Sequence, residues 1–210
     1  MTTIIRKSAL SVTGLLVAGG VVVGGVLAGS AGAARAASET PDTAGRVLDT
    51  QYERQPNFYY CGPAATRIAL TAQGHILSQD EVASKLGTTE AGTDSAEDTT
   101  RVLNELTGDD AYQTTAIEAP MADPTQIDRL RDDVRVAVDD ERAVVANIIG
   151  TATDVDGRVH SYPGGHYVTV VGYGEDGDAV KIADPAYPAA EYWTSTETLA
   201  HWIATRGYSH

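Results

Sequence analysis

The chain has one cysteine, Cys61, in 210 residues. No internal disulfide can form, so the fold has to rest on its apolar core. Basic residues are also scarce, with 15 Lys and Arg against 29 Asp and Glu. A surface of that sign repels nucleic acid and anionic lipid, which removes both from the expected partners. After the first 36 residues there is no internal repeat, no low-complexity stretch and no further apolar run long enough to span a membrane. What remains suits one domain with a sizeable core.

The amino terminus is of another kind. Arg6 and Lys7 precede a long run of Ala, Gly, Val and Leu that ends in Ala34-Arg35-Ala36. Charge, apolar run and small residues in that order predict a secretory signal peptide over residues 1–36, cleaved after Ala36 or close by. An uncleaved membrane anchor is the competing reading. The many glycines and the small-residue cleavage site speak against it. Arg6, Lys7 and Arg35 fall in this segment and no acid does. Of 15 basic and 29 acidic residues, 12 and 29 therefore remain, a net charge near −17. The expected protein is extracellular, with no membrane contact after cleavage. Cys61 lies well past the cleavage region, so it is not a lipid-attachment cysteine.

Residues 37–54 are polar and read as a linker or amino-terminal arm; residues 55–210 read as one α+β domain. Apolar positions at three- and four-residue steps predict a helix over Pro63–Gln73, stopped by Gly74. Ser78 and Glu81 predict a capping box for a second helix ending near Leu86-Gly87. A third is expected over Ser95–Leu106 and a fourth over Pro124–Val138. Strands are expected at 143–149, 166–174, 179–185 and 191–194. Thr194 and Glu197 then suggest a capping box for a last helix through His201 and Trp202.

Cys61 stands in "QPNFYYCGPAATRIAL", at the mouth of the first helix. Unpaired amides and the helix dipole favour an anionic sulfur there. Gly62 removes a side chain next to it. A buried structural cysteine would instead sit inside an apolar face. In an oxidising place, a lone thiol is a liability unless it is buried or used.

A nucleophile needs a base. His75, His160, His201 and His210 sit in a turn, a polar loop, the last helix and the carboxyl terminus, and read as structural or solvated. His166 opens an apolar strand directly after Gly164-Gly165, where a cleft fits. Asp184, in "KIADP", ends the next strand. A four-residue loop over 175–178 would set Asp184 opposite Thr169 and turn it away from His166. A three-residue loop, Glu175-Asp176-Gly177, with Gly177 left-handed, would set it opposite Val168. Asp184 and His166 would then share a face as diagonal neighbours about 7 Å apart. The Cys61 amide and the Gln55 side chain are candidate oxyanion donors.

These segments, "Q-x5-C-G-P-A-A", "GGHYVTVVGYG" and "VKIADPAY", resemble the C39-like branch of the papain-fold cysteine peptidases, as does "GTDSAEDTTRVLNELTG" between them. The resemblance covers most of residues 50–205. It implies a papain-like fold with amino-terminal helices packed on an antiparallel sheet. It also implies Gln55 as oxyanion donor, Cys61 as nucleophile, His166 as general base and acid, and Asp184 as the residue that orients it. Members of the family that trim leader peptides are often fused to ABC transporters; with no such domains in these 210 residues and a signal peptide predicted over 1–36, a leader-trimming role inside an exporter is not expected.

The expected reaction is hydrolysis of a peptide or protein substrate by acyl transfer through Cys61, with no metal or cofactor. Asp154 and Asp156 read as turn and surface residues rather than a calcium loop. Two rivals share the framework. One is an acyltransferase resembling phytochelatin synthase, in which an amine or thiol replaces water. The other is a catalytically idle peptide-binding module. Tyr59, Tyr60, Tyr162 and Tyr167 flank the key segments and read as packing of the cleft walls. Trp193 and Trp202 read as core or interface residues.

Overall fold

The computed structural model describes residues 45–174 and 176–210. The predicted signal peptide lies outside them. Twelve elements follow in chain order: β1 (Arg46–Val47), α1 (Cys61–Ala72), α2 (Gln79–Leu86), α3 (Ala96–Thr107), β2 (Thr114–Ile117), α4 (Pro124–Asp139), β3 (Val144–Thr153), β4 (Val159–Tyr173), β5 (Ala179–Ala183), β6 (Glu191–Ser195), α5 (Thr196–Ile203) and β7 (Arg206–Ser209).

Most helix signals in the sequence are used as read, but α1 starts two residues before the expected Pro63, at Cys61, which is thus inside the helix rather than ahead of it. Ser78 and Glu81 close a capping box, and Gly87 ends α2 in the left-handed conformation. Ser95 caps α3, and Gly108 ends it. Asp123 caps α4, with Pro124 in its first turn. The last helix differs from expectation. Its cap is Ser195, whose hydroxyl accepts from the Thr198 amide. Thr194 is instead a buried strand residue opposite Val180, because β6 runs one residue further than its sequence suggests.

The strands form one antiparallel sheet in the order β2-β7-β3-β4-β5-β6, with β1 also paired to β4. Short β1, β2 and β7 lack the apolar alternation that marks a strand, so sequence reading passes over them. Residues 45–54 of the segment read as an arm lie against the domain: Val47 pairs with Gly172, and the Leu48 amide donates to Val171 O.

Directly opposed residues share a sheet face, and this fixes the layers. On one face, Thr169 Oγ1 donates to Ala65 O of α1, and Ser209 meets Thr99 of α3 at 2.7 Å. On the other, Tyr208 donates to Asp133 of α4. The sheet is thus sandwiched, with α1 and α3 on one side and α4 on the other. Its middle is apolar on both faces: Val144, Val145, Ala146, Ile148, Val168 and Val170 are fully buried.

Two bulges in β4 shape its course. Near the turn, Gly172 pairs with Lys181 and Tyr173 with Val180, and the Gly174 amide donates to Ala179 O. That is the register of a four-residue loop, although Gly177 is left-handed as expected (φ +78°). A bulge at Val171 then shifts the ladder by one, so Val170 faces Ile182 and Thr169 faces Ala183. Carried on by one step, this ladder sets Asp184 opposite Val168, the face that His166 uses. The second bulge is larger. Ile148 pairs with His166 but Gly150 with Tyr162, so Ile149 alone stands opposite Pro163-Gly164-Gly165. Gly165 has φ +92°, a conformation that favours glycine.

Candidate active site

Cys61 is the first residue of α1. No side chain caps this helix start, which leaves the first-turn amides without a side-chain partner. Gly62 is needed for packing rather than for access alone. A Cβ there would lie 2.3 Å from Thr93 Oγ1, so the glycine lets the Thr88–Thr93 loop close against the helix. Cys61, Thr93, Asp94, Asn147, Gly164, Gly165, His166 and Arg206 are among the residues lining one cavity of about 160 Å³.

His166 is buried, and its Nε2 lies 2.8 Å from Asp184 Oδ1. With Nε2 engaged, Nδ1 is the nitrogen left to exchange a proton with Cys61. Burial works against the imidazolium, but hydrogen bonds to Asp184 and to Cys61 outweigh it and bring the pKa up to about 9. Asp184 has no exposed surface. Burial pushes its carboxyl up, yet the net shift is downward, because the group is fully hydrogen-bonded. Oδ1 takes His166 Nε2 and the Ala186 amide, at 2.8 and 2.9 Å. Oδ2 accepts from the hydroxyls of Tyr162 and Tyr192, at 2.7 and 3.2 Å. Burial first, and then the charge of Asp184, raise both phenols above their ordinary value, so they stay protonated as donors.

Three of the four residues singled out from sequence therefore come together: Cys61, His166 and Asp184. Gln55 lines a neighbouring cavity of about 470 Å³ with Arg54, Pro56, Asn57, Phe58 and Ala186. Its amide nitrogen donates to Asn57 O at 2.6 Å, and its Oε1 is buried without a partner. Its main chain is tied to the Asp184 strand end, the Gln55 amide donating to Pro185 O.

Sequence reading missed Tyr162 and Tyr192 as partners of Asp184. Tyr162 also stacks on the His166 ring, with centroids 3.9 Å apart at 23°. Two residues four apart on a strand would not meet this way. The bulge at 163–165 makes them neighbours on one face. Tyr167 is buried as a wall residue, its hydroxyl accepting from Asn147. Trp202 lies in the core. Asp154 is a turn residue as read, but buried rather than on the surface.

A thiol at an uncapped helix start, an imidazole sharing its cavity and a buried carboxylate behind the imidazole define a Cys-His-Asp arrangement suited to acyl transfer. The sequence model of the Peptidase_C39 like family matches residues 47–210, and the chain belongs to that family. Among solved structures, a Bacillus anthracis chain described as C39-like peptidase aligns at a TM-score of 0.55 and 12% identity, covering 79% of this chain and 96% of that one. The peptidase domain of Streptococcus ComA, a bi-functional ABC transporter of a quorum-sensing pathway, aligns at 0.50 and 19%, with the same coverage of each chain. The fold is thus the α+β, papain-like fold of the C39 peptidases. No curated protein matches the chain.

Proposed function

We propose that this protein is a secreted cysteine peptidase that hydrolyses peptide bonds with Cys61 as nucleophile, His166 as base and acid, and Asp184 as the orienting carboxylate. The observation that carries the reading is the 2.8 Å contact of His166 Nε2 with Asp184 Oδ1, made by an imidazole that shares a cavity with Cys61. Membership of the C39-like family supports a peptide as substrate. Secretion rests on the sequence of residues 1–36.

At neutral pH His166 is an imidazolium paired with the Cys61 sulfur. The sulfur attacks the scissile carbonyl and forms a tetrahedral oxyanion. The Cys61 amide at the helix start is one donor to that oxyanion. The second is the Gln55 side chain, turned from Asn57 by the arriving substrate. His166 then gives its proton to the leaving amine, and the C–N bond breaks to leave a thioester. Water, deprotonated by His166, attacks the thioester carbonyl; the C–S bond breaks, the acid is released, and the thiolate and the His166 imidazolium are restored. Asp184 keeps its negative charge throughout and holds the ring by Nε2.

The test is a profile of peptides cleaved by the purified chain under reducing conditions, with Cys61→Ala as control. Cleavage that disappears in the variant supports the proposal, and identical products from both proteins overturn it. Repeating the assay with an added amine or thiol separates hydrolysis from acyl transfer. A conjugate in place of the free acid would reassign the enzyme as an acyltransferase. Labelling of Cys61 without turnover of any peptide would reassign it as a binding module.

A further inference from the structure

The described residues hold a second buried His–Asp pair that the reaction above does not use. His160 Nε2 lies 2.9 Å from Asp154 Oδ2, and both side chains are nearly inaccessible. Asp154 Oδ1 accepts from the amides of Asp156 and Arg158, so the carboxylate is fixed by the β3–β4 turn. The turn itself is tied to β6 by the Val155 amide, which donates to Trp193 O.

Three aromatic rings surround His160. Tyr192 of β6 stacks on it, with centroids 3.9 Å apart at 20°. Tyr187, in the β5–β6 connection, meets it edge-on at 4.8 Å. Trp202 of α5 lies at 6.3 Å. All three residues connect to the Cys61 site, Tyr192 through its hydroxyl, Tyr187 through its main chain and Trp202 through Tyr162. The Tyr192 hydroxyl donates to Asp184 Oδ2. The Tyr187 amide donates to Asp184 O. Trp202 stacks on Tyr162, which stacks on His166 and donates to Asp184. The titratable groups facing His160 are thus Asp154, Tyr187 and Tyr192.

We propose that His160, fixed by Asp154, is a positioning residue for the His166–Asp184 pair, setting the rings that hold Asp184 Oδ2 and cover His166. The inference rests on the catalytic reading of Cys61 and His166. The imidazole, held at Nε2 by Asp154, gives a flat face on which the Tyr192 ring is seated. That seat aims the phenol at the carboxylate. An apolar side chain could fill the space, but only a ring held at its edge fixes the orientation as well.

Three variants of the purified chain separate this role from mere packing. His160→Gln loses the stacked ring, His160→Phe keeps a ring without the bond to Asp154, and Tyr192→Phe loses only the hydroxyl at Asp184. Readouts are melting temperature, the His166 ring titration by nitrogen NMR, the iodoacetamide reaction rate of Cys61, and kcat and KM on a cleaved peptide. Positioning predicts that His160→Gln lowers kcat about ten- to hundredfold with KM little changed. It also predicts slower Cys61 alkylation and a displaced His166 titration. His160→Phe should recover part of the loss, and Tyr192→Phe should reproduce the displaced titration while melting close to wild type. Folded His160→Gln and Tyr192→Phe proteins with an unmoved His166 titration and Cys61 rates within about twofold of wild type overturn the inference. If His160→Gln does not fold, His160→Phe decides: a displaced His166 titration with slower Cys61 alkylation supports the inference, and values within about twofold of wild type overturn it. Failure of the catalytic reading shows elsewhere, as peptide cleavage that survives Cys61→Ala, while the His166 titration still reads the positioning.

Discussion

At the scale of single residues, the chemistry turns on Asp184. It is a buried anion with four hydrogen-bond donors, two of them phenols that stay protonated. Replacing it by Asn removes the charge that favours the His166 imidazolium and leaves the burial that opposes it. On the proposed mechanism, wild-type activity should fall as the pH rises through about 9, where His166 would lose the proton it gives to the leaving amine. In Asp184→Asn that alkaline limb should move to lower pH, with kcat/KM down about a hundredfold or more. A pH profile of both proteins checks this. The same pair makes a linkage prediction. The His166 pKa is raised above the ordinary histidine value, so its stabilisation is complete below about 6.5 and lost as pH rises through about 9. The Asp184 pKa is lowered, so its share is present above the ordinary carboxylate range and lost as pH falls below it. Counted once, the pair contributes on the order of 3 kcal/mol at neutral pH. Urea unfolding should show wild type losing more stability than Asp184→Asn between pH 7 and pH 10.

At the scale of elements, glycines and bulges place the site. Gly62→Ala drives a Cβ into Thr93, and the contact atoms sit close to the main chain of the loop. We expect a net cost of about 1–3 kcal/mol from overpacking, in spite of alanine's better helix propensity, with the cavity wall at Thr93 displaced. Thermal unfolding measures the cost, and activity should fall along with it. Gly165→Ala forces a non-glycine residue into φ +92° beside His166, which should cost about 1–3 kcal/mol and shift the imidazole. Its activity loss should exceed what unfolding explains when the assay is run well below the melting temperature.

The bulges also mark where sequence reading stopped. The helix starts and stops were legible because caps and glycines act locally: Ser78, Ser95, Gly87 and Gly108 do what their types suggest. The shared face of Asp184 and His166 was legible too, but the device was not. The three-residue loop expected at 175–177 is a four-residue loop, and the one-residue correction comes from Val171, seven residues from Asp178 along the chain. A bulge inside an apolar run leaves no mark in composition. Tyr162 was hidden for the same reason. "HSYPGG" reads as polar loop, yet it is the outer half of β4, and only the ladder with β3 reveals the residues that stand out of register. Gln55 was legible as a residue type six positions before Cys61, while its actual bond to Asn57 depends on the fold of the intervening turn.

At the scale of the whole molecule, the one cysteine rules out an internal disulfide, and the described residues stand on a sheet covered on both faces. Its one thiol sits where α1 meets the bulged part of β4. Residues 1–36 lie outside the described structure, and their sequence predicts export. Expression with the native amino terminus should give protein in the medium that begins at or near Ala37, as read by amino-terminal sequencing. On the proposed mechanism Cys61 becomes acylated with the help of His166. The most direct measurement is acid-quenched mass spectrometry after exposure to a peptide bearing an electrophile in place of its scissile amide. A single, stoichiometric adduct on Cys61 that is lost in His166→Ala is the expected result. An unmodified Cys61 in the wild-type protein, or equal labelling in His166→Ala, would contradict it.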